Sequence, residues 1–302
     1  MYFKNRFRVA VFGDNKWCLN LLKKISKDRS IEIIFICGRY KKDSNLSQLA
    51  KSLKIKFIKP KNINSDQMIK FVKESNLNLC VSMSYDQIFK KKFIKAINNR
   101  IYNCHAGLLP SYRGRSVLNW ALINGEKFYG ITFHKINHYI DKGDILLQKK
   151  FIIFDTWEYK NILDSAYKNC ANICFDGIKV LQKGGYILQK QEETKIKPSY
   201  FKKRKKGDEI LSLDLFSNQI INFVRGLSNP GPVARIKYKN SYIFLNKISK
   251  LLKKIKKIIK LEKLLRFKII LFHFATVDKK KINVFKWKSN KKLKLKIGEI
   301  LG

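Results

Sequence analysis

Short apolar runs alternate with segments of helical hydrophobic spacing in the first half of the chain. The apolar runs predict four strands, and the spacing between them predicts three helices. The strands are predicted at residues 8–12, 32–38, 55–58 and 79–84, and the helices at residues 17–27, 46–53 and 65–75. Ser65 is the expected N-cap of the third helix. Strands that are apolar throughout and alternate with helices indicate a mostly parallel sheet covered on both faces.

The pattern changes near residue 200. Residues 200–209 (YFKKRKKGDE) are expected to be a charged connector, and residues 216–227 an amphipathic helix that ends before Asn229-Pro230-Gly231-Pro232. Short strand-like runs follow at residues 233–238, 242–245, 267–274, 281–285 and 293–297. Residues 247–263 place Ile and Leu at helical spacing among lysines, which favours an exposed amphipathic helix or loop there.

Two domains follow from these patterns. Residues 1–199 are predicted to form an α/β, Rossmann-like domain with a mostly parallel sheet and helices on both faces. Residues 200–302 are predicted to form a smaller β-rich, OB-like C-terminal domain. In parallel sheets of this class ligands bind beyond the carboxyl ends of the strands. Only Gly13 stands where a dinucleotide-binding loop would carry three glycines, so NAD binding is not expected.

The composition is that of a globular protein. Hydrophobic residues make up 45% and aromatic residues 13% of the 302 residues, which excludes general disorder. The sequence contains no run of about 18 apolar residues, the length that a membrane-spanning helix needs. The first apolar run is interrupted at Gly13-Asp14-Asn15, so we interpret it as a strand and expect a cytoplasmic protein without a membrane partner. The six cysteines are scattered without a Cys-x-x-Cys pair, which favours structural thiols over a metal site.

A formal charge of +43 is the most unusual global property of the chain. Such a charge is typical of proteins that bind nucleic acid or acidic membranes. However, lysine supplies nearly all of the positive charge and is spread over the chain, while Ile, Asn, Phe and Tyr are also abundant. This pattern is that of an AT-rich genome, and we favour biased residue usage over a nucleic-acid surface.

Candidate chemistry concentrates between residues 101 and 148. Asn103 and His105 lie two apart where a strand-like run meets a Gly-Leu-Leu-Pro turn, and Asp141 lies in a later polar turn. An imidazole can take a proton from an amine, a carboxamide can donate to an oxyanion, and a carboxylate can stabilise the imidazolium. These three groups suffice for acyl transfer to an amine without a metal or a covalent enzyme intermediate.

The same stretch resembles the 10-formyltetrahydrofolate-dependent formyltransferases, most closely those that act on nucleotide-linked amino sugars. The family's Asn-x-His and Leu-Leu-Pro-x-x-Arg-Gly elements stand here as residues 103–105 and 108–114. Its Gly-x-Thr-x-His and Asp-x-Gly-Asp-Ile elements stand as residues 130–134 and 141–145. The resemblance covers most of residues 8–246 and fades in the last fifty or so.

The resemblance implies roles for individual residues and names 10-formyltetrahydrofolate as the cosubstrate, with no metal. It implies that Asn103, His105 and Asp141 are catalytic. Positions expected to wrap the folate, largely through backbone groups, are Met83, Ser84, Tyr85, Asp86, Tyr139, Ile140 and Asp144. Positions expected to bind the acceptor are Tyr112, Arg113, Arg115, Asn119, Tyr200 and Arg204, where an arginine fork suits a diphosphate. We interpret Trp120 as core packing, His134 as a structural histidine of a strand, and His138 and His273 as surface or packing residues.

The family leaves the acceptor open. We favour a dTDP-linked amino sugar, because residues 118–126, 85–88 and 223–232 are similar to the sugar enzymes and the connection after the second predicted strand is short. Methionyl-tRNA formyltransferase is the alternative that suits the charge of +43. Phosphoribosyl glycinamide, and a non-catalytic RNA-binding protein on the same scaffold, are less favoured. We expect a small-molecule sugar nucleotide and no nucleic acid as partner. A homodimer through the β-rich domain is compatible with the sequence.

Overall fold

The computed structural model describes residues 6–40, 45–238, 240–250, 272–275, 278 and 281–289. The chain divides into two compact units that are not continuous in sequence. The first consists of Met1–Gly114, Tyr129–Phe151 and Asp164–Phe201, and the second of Arg115–Phe128, Ile152–Leu163 and Lys202–Gly302. The single domain boundary after residue 199 stays a prediction. In the structure, Arg115–Phe128 and Ile152–Leu163 group with the second unit although they precede that boundary.

The first unit is built on a seven-stranded sheet with the order β3-β2-β1-β4-β5-β7-β8. Its strands are β1 (Phe7–Gly13), β2 (Ile31–Gly38), β3 (Lys56–Ile58), β4 (Leu79–Met83), β5 (Ile101–His105), β7 (Phe128–Lys135) and β8 (Ile145–Ile152). The five neighbouring strands β3, β2, β1, β4 and β5 pair in parallel, and β7 pairs antiparallel to β5. The predicted α/β fold with a mostly parallel sheet is therefore confirmed.

Three helices lie where the hydrophobic spacing predicts them: α1 (Asn15–Ile25), α2 (Asn45–Ser52) and α3 (Asp66–Glu74). Two further helices, α4 (Lys91–Ala96) and the long α6 (Tyr159–Lys183), were not predicted. Ser65 is the N-cap of α3, and its side chain accepts a hydrogen bond from the backbone N–H of Met68. Phe12 and Phe35 are fully buried and pack edge to face in the core cluster of this unit.

A short two-stranded ribbon completes the first unit. Strand β6 (Arg113–Gly114) pairs in parallel with β9 (Tyr200–Phe201). The predicted charged connector over residues 200–209 is therefore wrong at its first two residues, which pair with the loop that follows β5. The pairing needs a glycine, because Gly114 has a φ of +98° and a Cβ there would overlap the Phe201 carbonyl.

The second unit contains α5 (Val117–Ile123), α7 (Ser217–Gly226) and a four-stranded antiparallel sheet. The strands are β10 (Arg235–Tyr238), β11 (Ser241–Lys250), β12 (Phe272–Ala275) and β13 (Lys281–Ser289), in the order β10-β11-β13-β12. The predicted β-rich C-terminal region is confirmed; its likeness to an OB fold stays a prediction. Ile220, Val224 and Leu245 are buried in its core.

The lysine-rich segment differs from its prediction where the structure describes it. Residues 247–250 belong to strand β11 instead of an amphipathic helix or loop, because β11 continues its pairing with β13 up to Lys250. Residues 251–263 and the strand predicted at residues 293–297 lie outside the described residues. None of the described helices is long and apolar enough to cross a membrane.

Candidate active site

Strand β5 carries two of the predicted catalytic residues at its carboxyl end. Asn103 and His105 are two positions apart, so their side chains lie on the same face of the sheet. The antiparallel register of β5 and β7 places His134 opposite Asn103. The Asn103 Nδ2 atom lies 3.3 Å from His134 Nε2. Strand pairing therefore adds a second imidazole to the amide and imidazole that the sequence indicated.

Asp141 lies in the loop between β7 and β8, with its carboxylate between the two imidazoles. Its Oδ2 atom is 3.7 Å from His105 Nδ1, and its Oδ1 atom is 3.6 Å from His134 Nε2. Oδ2 also accepts a hydrogen bond of 2.9 Å from the backbone N–H of Gly114. Three side chains that are separated by up to 38 positions in the sequence thus meet at one end of the sheet, with His134 as a fourth.

The surroundings of Asp141 favour its charged form. Burial by itself opposes ionisation of the carboxyl group. The imidazoles of His105 and His134 and the amide of Gly114 outweigh this burial and hold the pKa of Asp141 well below its usual range. Asp141 is therefore a carboxylate at neutral pH, able to stabilise positive charge on either imidazole.

His105 is held on its other side by a backbone carbonyl. Its Nε2 atom lies 2.7 Å from the carbonyl oxygen of Tyr112, and its side chain is 9% exposed. A carbonyl only accepts hydrogen bonds, so the proton of a neutral His105 belongs on Nε2, an assignment made from the hydrogen-bond pattern. The nitrogen left without a proton is Nδ1, which faces Asp141. The geometry gives His105 one free basic atom beside a carboxylate.

His134 is oriented by an equivalent contact. Its Nδ1 atom lies 2.9 Å from the Lys135 carbonyl oxygen, which places the proton of the neutral ring on Nδ1. The Nε2 atom can then accept from the carboxamide of Asn103. The sequence interpretation of His134 as a structural histidine agrees with its burial, yet the structure also places the ring against two residues of the trio.

The buried Thr132 and the half-buried Gln148 fix the loop that follows β5. The Thr132 hydroxyl donates to the Gly107 carbonyl at 2.7 Å and accepts from the Leu109 N–H at 3.3 Å. The Gln148 amide donates to the Leu109 carbonyl and to the Thr132 hydroxyl, both at 2.8 Å. These bonds explain the threonine of the Gly-x-Thr-x-His element in physical terms, because the loop they hold carries Tyr112.

The residues predicted to wrap a folate lie on two loops of the first unit. After β4, Ser84 has a φ of +57°, and Arg39 donates to its carbonyl and its hydroxyl. The Met83 carbonyl accepts from the backbone N–H of Asp14 at 3.3 Å, Tyr85 stacks on Phe89 with ring centroids 5.5 Å apart, and Asp86 is exposed. The Tyr85 ring is thus committed to packing against Phe89.

The second of these loops follows β7. Tyr139 and Ile140 are 57% and 46% exposed. A cavity of about 490 Å³ lies beside them, and its lining includes Asp144, Gly143 and Asn137 together with Lys91, Lys95 and Lys135. His138 also lines this cavity, and its ring contacts that of Tyr139. An open cavity of this volume can hold a bicyclic ring system.

The residues predicted to bind the acceptor are distributed over both units. In the first unit the Tyr112 ring stacks on Phe201 with centroids 4.8 Å apart, and Tyr200 is 53% exposed. Arg113 differs from the prediction: its guanidinium donates to the Asp141 carbonyl and to the Gln191 side chain. Through these hydrogen bonds the Arg113 guanidinium supports the Asp141 turn.

In the second unit Arg115 is exposed, and Arg204 is half-buried, with burial lowering the pKa of its guanidinium against the opposing charges of Asp208 and Glu209. Asn119 is only 5% exposed, and its Nδ2 donates to the Gly226 carbonyl at 2.8 Å. We therefore correct its prediction as an acceptor contact to a structural role. Trp120, predicted as core, is partly exposed on α5.

Among the residues that the structure describes, the site has no neighbouring metal-binding cluster. No group of three or more His, Cys, Asp or Glu side chains in these ranges is arranged to hold a metal ion. All six cysteines are buried free thiols. Cys104, between the two predicted catalytic residues of β5, points to the opposite face and contacts the Cys170 carbonyl.

Comparison with known proteins places this site in a family. Residues 6–172 match the family model described as formyl transferase. The chain is 34% identical over 200 residues to the bifunctional polymyxin resistance protein ArnA of Wigglesworthia glossinidia brevipalpis, a match that spans 65% of the chain and 29% of that protein. It is 26% identical over 234 residues to the methionyl-tRNA formyltransferase of Fusobacterium nucleatum subsp. nucleatum, which spans 75% of the chain and 74% of that protein.

Among solved structures, the fold is similar to that of WlaRD, a sugar 3N-formyl transferase crystallised in the presence of dTDP and 5-N-formyl-THF. The TM-score is 0.70 at 21% identity, covering 96% of this chain and all of that one. This likeness supports the fold. The match of the family model covers more than half of the chain and contains Asn103, His105 and Asp141. The chain belongs to the formyl transferase family, as its sequence predicts, and its enzyme class is that of formyl-transferring enzymes.

Proposed function

We propose that this protein transfers the formyl group of 10-formyltetrahydrofolate to the amino group of a dTDP-linked amino sugar. The observation that carries the proposal is the position of the Asp141 carboxylate, 3.7 Å from His105 Nδ1 and beside the Asn103 amide. The arrangement supplies a base, a charge to stabilise the protonated base, and an oxyanion donor within one cluster.

The proton-transfer step follows from the contacts of His105. Because Nε2 donates to the Tyr112 carbonyl, Nδ1 is the atom that takes a proton from the attacking amine. The imidazolium that forms keeps both of its N–H groups directed at acceptors, Tyr112 O and Asp141 Oδ2. The separation of 3.7 Å is longer than a hydrogen bond, so the carboxylate stabilises the imidazolium through its charge at this distance.

Asn103 acts on the other side of the reacting carbonyl. When the amine nitrogen bonds to the formyl carbon, negative charge develops on the formyl oxygen, and a carboxamide N–H can donate to it. One Asn103 N–H points toward His134, which leaves the second for this oxygen. Collapse of the intermediate breaks the bond between the formyl carbon and N10 of the folate. The proton held by His105 passes to N10, and the formamide and tetrahydrofolate leave.

The folate is proposed to bind along the loops that follow β4 and β7. The cavity of about 490 Å³ beside Asp144 has the volume for a pterin ring, and the exposed Tyr139 and Ile140 offer apolar surface next to it. For the acceptor we retain Tyr112, Tyr200, Arg115 and Arg204. A cytoplasmic location is part of the proposal, and the buried free thiols are compatible with a reducing compartment.

Methionyl-tRNA formyltransferase is the second candidate, supported by the curated relative from Fusobacterium nucleatum and by the charge of +43. The deciding experiment incubates the purified protein and 10-formyltetrahydrofolate with a panel of dTDP-, GDP- and UDP-linked amino sugars, and separately with charged initiator tRNA. Formylation is measured by mass spectrometry and by release of tetrahydrofolate. We expect turnover with a dTDP-linked amino sugar. Turnover with tRNA and with no amino sugar would overturn the acceptor assignment.

A further inference from the structure

A segment that follows helix α6 supports the catalytic cluster from outside. Gln191 begins the short 3₁₀ helix Gln191–Glu193 and is 2% exposed. Its Nε2 atom donates to the carbonyl oxygens of Asp141 and Gly143, at 2.9 and 2.8 Å. A single side chain therefore holds the backbone of the Asp141 turn at two points. The family resemblance and the sequence pattern assigned this residue no role.

Arg113 completes this contact from the opposite direction. Its Nε atom donates to the Asp141 carbonyl at 3.2 Å and to Gln191 Oε1 at 3.1 Å, and a second guanidinium nitrogen donates to Gln191 Oε1 at 2.6 Å. The amide of Gln191 is thereby fixed in one orientation, because its oxygen faces a cation and its nitrogen faces two carbonyls. Arg113 and Gln191 form a closed group around the Asp141 carbonyl.

Such a support is needed because the turn is tight. Asp141 has a φ of +53°, a left-handed conformation that costs free energy for a residue with a Cβ. The Asp141 carboxylate must also stay within reach of His105, His134 and the Gly114 N–H at the same time. A turn held at its carbonyl oxygens keeps its side chain in one place, and a loose turn does not.

The same segment also holds the loop that orients His105. The Ser199 hydroxyl accepts from the Tyr112 backbone N–H at 2.9 Å, and Tyr200 and Phe201 pair with Arg113 and Gly114. The Tyr112 carbonyl, which fixes the His105 ring, and the Asp141 turn, which faces it, are thus attached to one stretch of chain.

We infer that Gln191, locked by Arg113, is a positioning residue that sets the Asp141 carboxylate against His105. The inference rests on the proposed role of Asp141 in formyl transfer. It reassigns Arg113 from the acceptor site to this support. Neither residue is expected to touch the reacting atoms.

The test compares Gln191→Ala with the matched control Gln182→Glu and with Gln191→Glu. Gln182, at the C-terminal end of α6, also accepts from a cation, Lys179, and donates to a backbone carbonyl, that of Ser30. Gln191→Glu keeps an acceptor for Arg113 and removes both donors to the turn. We expect kcat to fall about 10-fold to 100-fold in both Gln191 variants, since small displacements of a catalytic group have effects of this size. Gln182→Glu should leave kcat unchanged.

A second readout does not depend on activity. The pKa of the Asp141 carboxyl, followed by ¹³C chemical shift and assigned with Asp141→Asn, should rise toward its usual range in Gln191→Ala, because the turn no longer holds the carboxylate near its stabilising partners. An unchanged midpoint would overturn the inference whatever the activity. A raised midpoint in a protein that formylates no amine would sink the proposed function and keep the positioning role. If Gln191→Ala does not fold, Arg113→Lys, which keeps the charge and loses the fork, takes its place.

Discussion

The Nε2 atom of His105 lies 2.7 Å from the carbonyl oxygen of Tyr112, seven residues along the chain. This contact decides which nitrogen of the ring is free to act. Tyr112 can present its carbonyl to the ring because its backbone has a φ of +56° and its side chain is stacked on Phe201. The catalytic assignment of His105 thus depends on backbone geometry that residue identities alone do not reveal.

His105→Ala tests the base directly. The substitution removes Nδ1 and should lower kcat by about 10²-fold to 10⁴-fold, the usual contribution of a general base. The melting temperature should change little, because the cavity is small and polar. Steady-state kinetics at pH 7.5 with the active amino sugar gives the answer, and circular dichroism checks the fold. Retention of more than about a tenth of the wild-type kcat contradicts the assignment.

Asp141→Asn tests the charge beside the base. The carboxamide is nearly isosteric, but it cannot stabilise an imidazolium as a carboxylate does. We expect a large fall in kcat, with little change in the affinity for folate measured by fluorescence titration. A variant with unchanged kcat and a lower melting temperature would show that Asp141 only shapes the turn.

We expect the stability difference between the wild type and Asp141→Asn to depend on pH. The pKa of Asp141 is lower in the folded protein than in the unfolded chain, so the carboxylate contributes stability above the unfolded pKa of about 3.9. This contribution decreases as the pH falls from about 4 toward the folded pKa. Urea unfolding at pH 7 and pH 3 should therefore show a wild-type advantage over Asp141→Asn that shrinks at pH 3. An equal difference at both pH values would contradict the sign of the shift.

Gly107→Ala tests the packing that allows the contact between His105 and Tyr112. A Cβ at position 107 would overlap both the Tyr112 carbonyl oxygen and His105 Nε2. The ring or the loop must move, so we expect kcat to fall at least about tenfold. Gly125→Ala in the second unit is the control, since its left-handed φ of +71° makes it costly for stability while its only near contact is the Asn222 side chain. Loss of stability in both with loss of activity in neither would contradict the prediction.

Much of the fold was readable in the hydrophobic pattern, and the limits of that reading are specific. Strand β4 and helix α3 followed from local spacing, because a buried strand is apolar throughout and Ser65 caps the helix. The meeting of Asn103 with His134 depends on the antiparallel pairing of β5 with β7, which leaves no mark in local spacing. β9 was missed because its two residues read as part of a charged stretch.

The site shows the same division. The spacing of Asn103 and His105 placed them on one face of a strand, since side chains alternate along it. Gln191 lies 50 positions from Asp141 and acts on a backbone carbonyl, so no pairing of side-chain types could have pointed to it. Its only sequence signal is an uncharged glutamine beside two glutamates in a charged segment. The contacts of Arg113 with Gln191 and the Asp141 carbonyl have no signal in the sequence for the same reason.

The response to salt separates the two acceptors. A sugar nucleotide offers one diphosphate to a few cationic groups, so kcat/KM should change only severalfold between 50 and 200 mM salt. A tRNA enzyme that neutralises six to ten phosphates would lose about 10³-fold to 10⁵-fold in affinity over the same range. The charge of +43 argues for the second behaviour, but a net charge averages over all lysines of the chain, whereas the cationic residues retained for the acceptor are two, Arg115 and Arg204. We therefore expect the weak dependence, measured as kcat/KM for the best amino sugar at both salt concentrations. Bulk tRNA without attached amino acids serves as a control, because it should inhibit formylation of the amino sugar only slightly at moderate salt. Steep salt dependence together with tight tRNA binding would favour the tRNA enzyme.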